Sequence, residues 1–87
     1  MGTNWSPHGD SPGGNVLTRE GYERMKQELD WLIRVKRREV AQRLREAREF
    51  GDIRENAEFA AAKEEQAQVE ARIAELERIL RGARVVD

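Results

Sequence analysis

A single glycine, Gly51, interrupts a stretch of about sixty residues that otherwise favours helix throughout. No other glycine lies between Gly21 and Gly82, and no proline lies there at all. The flanking composition is mostly Ala, Glu, Lys, Leu, Arg and Gln, which is typical of long helices or coiled coils. The chain must therefore turn near Gly51, and a short connection makes two helices antiparallel neighbours. We predict an all-α fold, a long antiparallel two-helix coiled-coil hairpin.

The segment boundaries follow from composition and capping signals. Gly and Pro are concentrated in the first fourteen positions, which predicts a disordered N-terminal arm. Thr18 is a suitable N-cap for helix 1, and Gly82 is well placed just after helix 2. The predicted segments are a disordered arm at 1–15, a hairpin at 16–82 and, at 83–87, the start of a strand or linker. Within the hairpin we predict helix 1 at about 18–50, a tip at 50–56 and helix 2 at about 53–81.

Apolar residues form a seam along both predicted helices. In helix 1 the steps of three and four slip by one position after Leu32, which we interpret as a local change in supercoiling and not as a break. Helix 2 has a regular seam. The seam residues are Tyr22, Met25, Leu29, Leu32, then Ile33, Val40, Leu44 and Ala47 in helix 1, and Phe59, Ala62, Gln66, Val69, Ile73, Leu76 and Leu80 in helix 2.

Charge is unevenly divided between the two halves. Residues 18–50 carry a net charge of +3 and residues 51–81 a net charge of −3, so antiparallel pairing brings opposite charges together. Seven basic residues lie from Arg34 to Arg48, both included. They form either a solvated face or a track for a polyanion. The sequence has no cysteine and no apolar run long enough for a membrane span, so we expect a cytoplasmic protein without a membrane partner.

The tip places two acids, Asp52 and Glu55, three residues apart where a turn meets a helix. This spacing fits a capping box, in which Asp52 accepts from backbone N–H groups and Glu55 reaches back. The alternative is that both carboxylates project outward and hold a metal. Two acids suffice for Mg²⁺ only if another molecule supplies the remaining ligands. The only histidine lies in the arm, so no nucleophile–base pair is visible.

Three stretches of the sequence resemble the N-terminal coiled-coil domain of the bacterial Gre transcript-cleavage factors. They are Leu17–Tyr22, Glu28–Leu32 and, above all, Glu46–Phe59 with its Ala-Arg-Glu-Phe-Gly-Asp-Ile-Arg-Glu-Asn-Ala-Glu run. The resemblance covers about residues 16–87. Two positions differ from many family members, which have Pro at the position of Arg38 and Tyr at that of Phe59. Members of the family also have a C-terminal globular domain that docks on the rim of the polymerase's secondary channel. Residues 16–87 contain no counterpart of that domain.

The resemblance implies a function at bacterial RNA polymerase. The hairpin of such factors enters the secondary channel of a backtracked polymerase, whose own active site then cleaves the RNA 3′ segment. Asp52 and Glu55 would assist by helping to hold the second Mg²⁺, shared with the polymerase, so the protein would not itself be an enzyme. The residues expected to contact RNA or polymerase are Arg45, Arg48, Arg54 and Asn56. The resemblance also implies DNA binding.

Two other functions remain open from the sequence. A related secondary-channel binder could inhibit or modulate the polymerase without cleavage, although the Asp52/Glu55 pair favours cleavage. A purely structural coiled coil, self-associating or paired with another helix, would also account for the seam and the capping box.

Overall fold

The computed structural model describes residues 15–49 and 56–87. Within them the chain forms two long helical arms that pack side by side and a short pair of strands at their base. The predicted two-helix architecture is confirmed, and the strand pair is an addition to it. The elements are β1 (Asn15–Thr18), α1 (Arg19–Trp31), a π-helical segment (Leu32–Lys36), α2 (Arg37–Arg48), α3 (Ala57–Arg81) and β2 (Ala83–Val86).

The first arm is one continuous helical rod made of α1, the π-helical segment and α2. Thr18 caps its start as predicted, because its hydroxyl oxygen accepts from the Gly21 N–H at 3.0 Å. There is little room for a side chain at Gly21, because a Cβ atom there would lie 3.2 Å from the Thr18 hydroxyl oxygen. At about 1.5 Å per residue, the 25 residues of α3 give a second arm of about 37 Å.

The π-helical segment explains the slip in the seam of the first arm. Here the Arg37 N–H donates to the Leu32 carbonyl, five residues back, so the segment holds one more residue than an α-helix of the same path. Leu32, the first residue of the segment, and Val40, which follows the segment, are both buried, and they lie eight residues apart instead of the heptad's seven. The prediction that the helix continues without a break is confirmed, and an inserted residue in a π-helical turn absorbs the slip where a change in supercoiling was expected.

The core is a single row of side chains between the arms, which agrees with the predicted seam. Leu76 and Val40 are the most deeply buried, with 0% and 1% of their surface exposed. Phe59, Met25, Leu29 and Ile33 pack against the edges of this row. The buried residues are Leu32, Val40, Leu44, Ala47, Ala62, Val69, Ile73 and Leu76. Trp31 and Val35 lie off the row and are 48% and 42% exposed.

The two strands pair in parallel at the base of the arms. Asn15 aligns with Ala83 and Thr18 with Val86, while Leu17 and Val85 share one register position and are both half-buried. An ion pair between Arg19 and Asp87, 2.9 Å apart, lies beside them. Asn15 therefore belongs to a strand and not to the predicted disordered N-terminal segment. Residues Ala83–Val86 form the second strand.

The second arm begins later than expected. The predicted start near Ile53 lies outside the described residues, but the described helix begins at Ala57, with Asn56 in an extended backbone conformation as its N-cap. It ends at Arg81, followed by Gly82, in agreement with the prediction. None of the helices in the described ranges is long and apolar enough to cross a membrane.

Candidate functional site

The candidate site lies at the end of the arms where α2 and α3 meet. Asp52, Arg54 and Glu55, three of the residues expected to act there, lie outside the described residues. The structure does place the residues on either side of them, namely the end of α2 and the start of α3. These flanking residues determine how the connection between the arms is attached.

Asn56 bonds to both arms at once. Its side-chain oxygen accepts from the Phe59 N–H at 3.1 Å, which caps the start of α3. Its side-chain nitrogen donates to the Ala47 carbonyl at 2.6 Å, in the last turn of α2. That carbonyl is one of the four at a helix C-terminus that no intrahelical N–H can satisfy. Asn56 therefore has bonding partners in both arms, and its predicted contact with RNA or polymerase stays a prediction.

Arg48, the last residue of α2, lies against the ring of Phe59 in the first turn of α3. The centre of its guanidinium is 5.7 Å from the ring centroid, within the range of a cation–π contact. This contact needs the face of an aromatic ring and no hydroxyl, so the Phe59 ring provides it. Arg48 is nevertheless exposed at the end of the arm.

Arg45 is also exposed, one turn before the end of α2, and its guanidinium donates to the side chain of Gln42. Gln42 in turn donates to Glu46 at 2.9 Å. These bonds run along one helix surface and leave Arg45 outside the seam. Arg45 and Arg48 are thus the two predicted contact residues that the structure places at the surface near the tip.

Within the described residues, three of the seven basic residues from position 34 to position 48 form ion pairs with acids of the second arm. Arg37 donates to both carboxylate oxygens of Glu70, at 2.8 and 2.7 Å. Lys36 lies 2.7 Å from Glu65, to which Arg43 is also bonded. The predicted attraction between the two halves is present in these pairs. The basic surface available to a polyanion is correspondingly smaller than the sequence suggests.

These ion pairs lower the pKa of the acids that take part. Hydrogen bonds from Lys36 and Arg43 hold the pKa of Glu65 below its ordinary value. The hydrogen bonds between Arg37 and Glu70 lower the pKa of Glu70 and raise the pKa of Arg37. The cross-arm pairs are therefore ionised at neutral pH and hold α2 against α3 between the base and the tip.

Within residues 15–49 and 56–87, the structure contains no group of three His, Cys, Asp or Glu residues that could hold a metal ion. The acids proposed from the sequence, Asp52 and Glu55, lie between these ranges. Both would offer carboxylate oxygens, the ligand type that Mg²⁺ takes in proteins.

The bond between Asn56 and Ala47 is the main feature of this site that sequence reasoning missed. The sequence offers a capping box at Asp52 and Glu55 as one of two alternatives for the tip. A signal for a cap at Asn56 is also present, because asparagine is favoured at N-caps and Ala57 and Glu58 after it suit a first helical turn.

Comparison with known proteins agrees with the architecture. A family model described as "Transcription elongation factor, N-terminal" and covering GreA and GreB matches residues 15–85. The chain is 54% identical over 72 residues to transcription elongation factor GreA of Acetivibrio thermocellus, with 83% of this chain and 45% of the relative aligned. It is 52% identical over 71 residues to GreA of Thermotoga neapolitana, covering 82% and 46%.

GreA of Bacillus subtilis is 48% identical over 71 residues, covering 82% of this chain and 45% of that protein. The chain thus spans about half the length of these curated relatives. The matched range includes both arms, the connection at the tip and all of the strand pair except Val86. This chain belongs to the GreA/GreB family of transcription elongation factors, with residues 15–85 corresponding to the family's N-terminal domain.

Proposed function

We propose that this chain is the arm of a transcript-cleavage factor, which enters the secondary channel of bacterial RNA polymerase and stimulates the polymerase to cleave its own backtracked RNA. The chain is not itself an enzyme in this proposal, because the polymerase active site performs the hydrolysis. Its place of action is the cytoplasm, where transcription occurs. Direct DNA binding and self-association of the coiled coil remain predictions from the sequence.

The observation that carries this proposal is the joining of α2 and α3 by Asn56, in a chain whose relatives are transcription elongation factors. The two arms form a narrow rod with one row of buried side chains, and the connection that contains Asp52 and Glu55 is attached at its far end. A rod of about 37 Å suits delivery of two acids to a recessed site.

Asp52 and Glu55 would contribute carboxylate oxygens to a Mg²⁺ ion in the polymerase active site. Two carboxylates hold Mg²⁺ weakly on their own, so the polymerase acids, RNA phosphate and waters would supply the other ligands. An ion held there would stabilise the charge that develops on the phosphate and lower the pKa of the attacking water. The part of this chain is to bring negative charge to that position and to keep it there.

Basic side chains near the tip would position the RNA. Arg45 and Arg48 are exposed on the last turns of α2, and Arg54 belongs to the connection itself. Guanidinium groups bind phosphate oxygens with two parallel hydrogen bonds. Because Arg48 is already held against the Phe59 ring, its charge is pre-positioned at little further entropic cost.

A cleavage assay tests the proposal directly. RNA polymerase is stalled and backtracked on a template with 3′-labelled and 5′-labelled RNA, and the chain is added with Mg²⁺. We expect faster release of a short 3′ fragment and restart of elongation from the shortened RNA. Inhibited initiation without any cleavage would favour the modulating relative, and no effect on the polymerase together with no competition for the secondary channel would favour a structural coiled coil.

A further inference from the structure

The side chain of Asn56 connects the two arms at the base of the tip, one residue after Glu55. We propose that Asn56 is a positioning residue: by bonding α2 and α3 at once, it sets where the tip acids stand relative to the arm. This inference rests on the proposed function, and it assigns to Asn56 a role different from contact with RNA or polymerase.

The chemistry of the two bonds requires an amide. The Phe59 N–H needs an acceptor and the Ala47 carbonyl needs a donor, which fixes the orientation of the Asn56 side chain. An aspartate has the same shape and can still cap α3, but it cannot donate to a carbonyl. A serine can cap as well, but its single oxygen is too close to the backbone to replace both ends of the amide.

The surroundings of these bonds favour a defined geometry. Ala47 is buried, with 3% of its surface exposed, and Asn56 is half-buried between the arms. Apart from Asn56, the partner given for the Ala47 carbonyl among the described residues is the Glu49 N–H, which also bonds the Glu46 carbonyl, so loss of the Asn56 donor leaves a poorly satisfied acceptor. Arg48 on Phe59 closes the same junction from a second direction. Of these two contacts among the described residues, the one made by Asn56 has main-chain partners in both arms.

A small displacement at this junction would matter for the proposed reaction. The connection from Glu49 to Asn56 contains six residues, and both acids are among them. Carboxylates that complete a metal site must lie within a few tenths of an ångström of their productive positions. A misplacement of about 1 Å can slow a reaction on the order of 100-fold while leaving distant binding contacts unchanged.

Two substitutions separate the cross-arm bond from the cap. Asn56→Ser keeps a capping oxygen and removes the donor to Ala47, and Asn56→Asp does the same with the original shape. Because Asn56→Asp also adds a charge beside Glu55, agreement between the two variants excludes a charge effect. Thr18→Ala is the matched control, since it removes a helix cap at the opposite end of the hairpin.

The readout is the cleavage rate of backtracked complexes across a range of factor concentrations. For Asn56→Ser and Asn56→Asp we expect the maximal rate to fall at least about tenfold, while the half-saturating concentration changes less than about twofold. Thr18→Ala should lower the thermal midpoint by about 5 °C and leave the maximal rate within about twofold of the parent. The Asn56 side-chain amide protons should exchange slowly with solvent in the unmodified chain.

Several results would overturn the inference. They are parental cleavage rates in both variants, an equal loss of rate in Thr18→Ala, or rapid solvent exchange of the Asn56 amide protons in the unmodified chain. A rise in half-saturating concentration that accounts for the whole loss would also contradict it, because that is the result of weakened binding. If the unmodified chain stimulates no cleavage, the proposed function fails and the inference fails with it.

Discussion

The guanidinium of Arg72 donates to both carboxylate oxygens of Glu28, each bond 2.8 Å long, and so joins the second arm to the first near their base. Arg72 also bonds Glu75 in its own helix at 2.9 Å. The pair repeats, with the charges exchanged between the arms, the pairing of Arg37 with Glu70 further along the hairpin. Fixed cross-arm pairs of both polarities favour one antiparallel register over shifted ones.

A double-mutant cycle on this pair should give a modest coupling energy. Glu28 and Arg72 are 40% and 39% exposed, so solvent screens their attraction. For Glu28→Gln and Arg72→Gln, alone and together, we expect a coupling of about 0.5 to 1 kcal/mol in the free energy of unfolding. Urea denaturation at low salt measures it. A coupling of zero, or one that is unchanged in 1 M salt, would contradict the assignment.

The stability of the hairpin should fall at acidic pH in a defined window. Hydrogen bonds from arginine and lysine lower the pKa of Glu28, Glu65 and Glu70 from the ordinary value of 4.5. A lowered folded-state pKa stabilises the fold fully above the unfolded-state value, and this contribution is lost as the pH falls through the folded-state pKa. The thermal midpoint should therefore be insensitive to these groups above about pH 5 and decrease below about pH 4.5.

The control is the variant in which all three glutamates are replaced by glutamine. It should melt at a lower temperature than the parent at pH 7, and the difference should shrink as the pH falls towards 3. Other carboxylates titrate in both proteins, so the difference isolates these three. A difference that stays constant from pH 7 to pH 3 would show that the pairs do not stabilise the fold.

Deleting one residue from the π-helical segment should be tolerated. Removal of the exposed Val35 converts the segment to α-helix and leaves Leu32 and Val40 seven residues apart, in register with one continuous seam. Deleting the exposed Gln42 instead rotates Leu44 and Ala47 by about 100° out of the seam. We expect similar helicity and thermal midpoint for the Val35 deletion, and a large loss for the Gln42 deletion, by circular dichroism. Equal losses would contradict this account of the π-helical segment.

The helical hairpin could be predicted because its signals are local or periodic. Gly51, the capping Thr18 and the seam through Val69, Ile73 and Leu76 each follow from short-range rules. The slip after Leu32 was visible too, but a one-residue shift in a seam fits either altered supercoiling or a π-helical turn. Only the backbone bond from Arg37 to Leu32 distinguishes them.

The features that the sequence did not predict depend on contacts between distant residues. The strands pair Leu17 with Val85; residues 83–87 were expected to start a strand or linker, but the partner strand Asn15–Thr18 is too short to be recognised alone. The bond from the Asn56 side chain to the Ala47 carbonyl, nine residues away, has no signal in the neighbouring sequence. The family resemblance supplied the role of the tip, which periodicity could not provide.

The most direct measurement is the single-turnover cleavage rate with the Asp52→Asn, Glu55→Gln double variant. Both replacements keep hydrogen-bonding capacity and remove charge, so the fold and its competition for the secondary channel should match the parent. We predict that stimulated cleavage falls on the order of 100-fold at saturating factor, because the carboxylates offered to the Mg²⁺ are lost. Cleavage at the parental rate with the double variant bound in the channel would contradict the account.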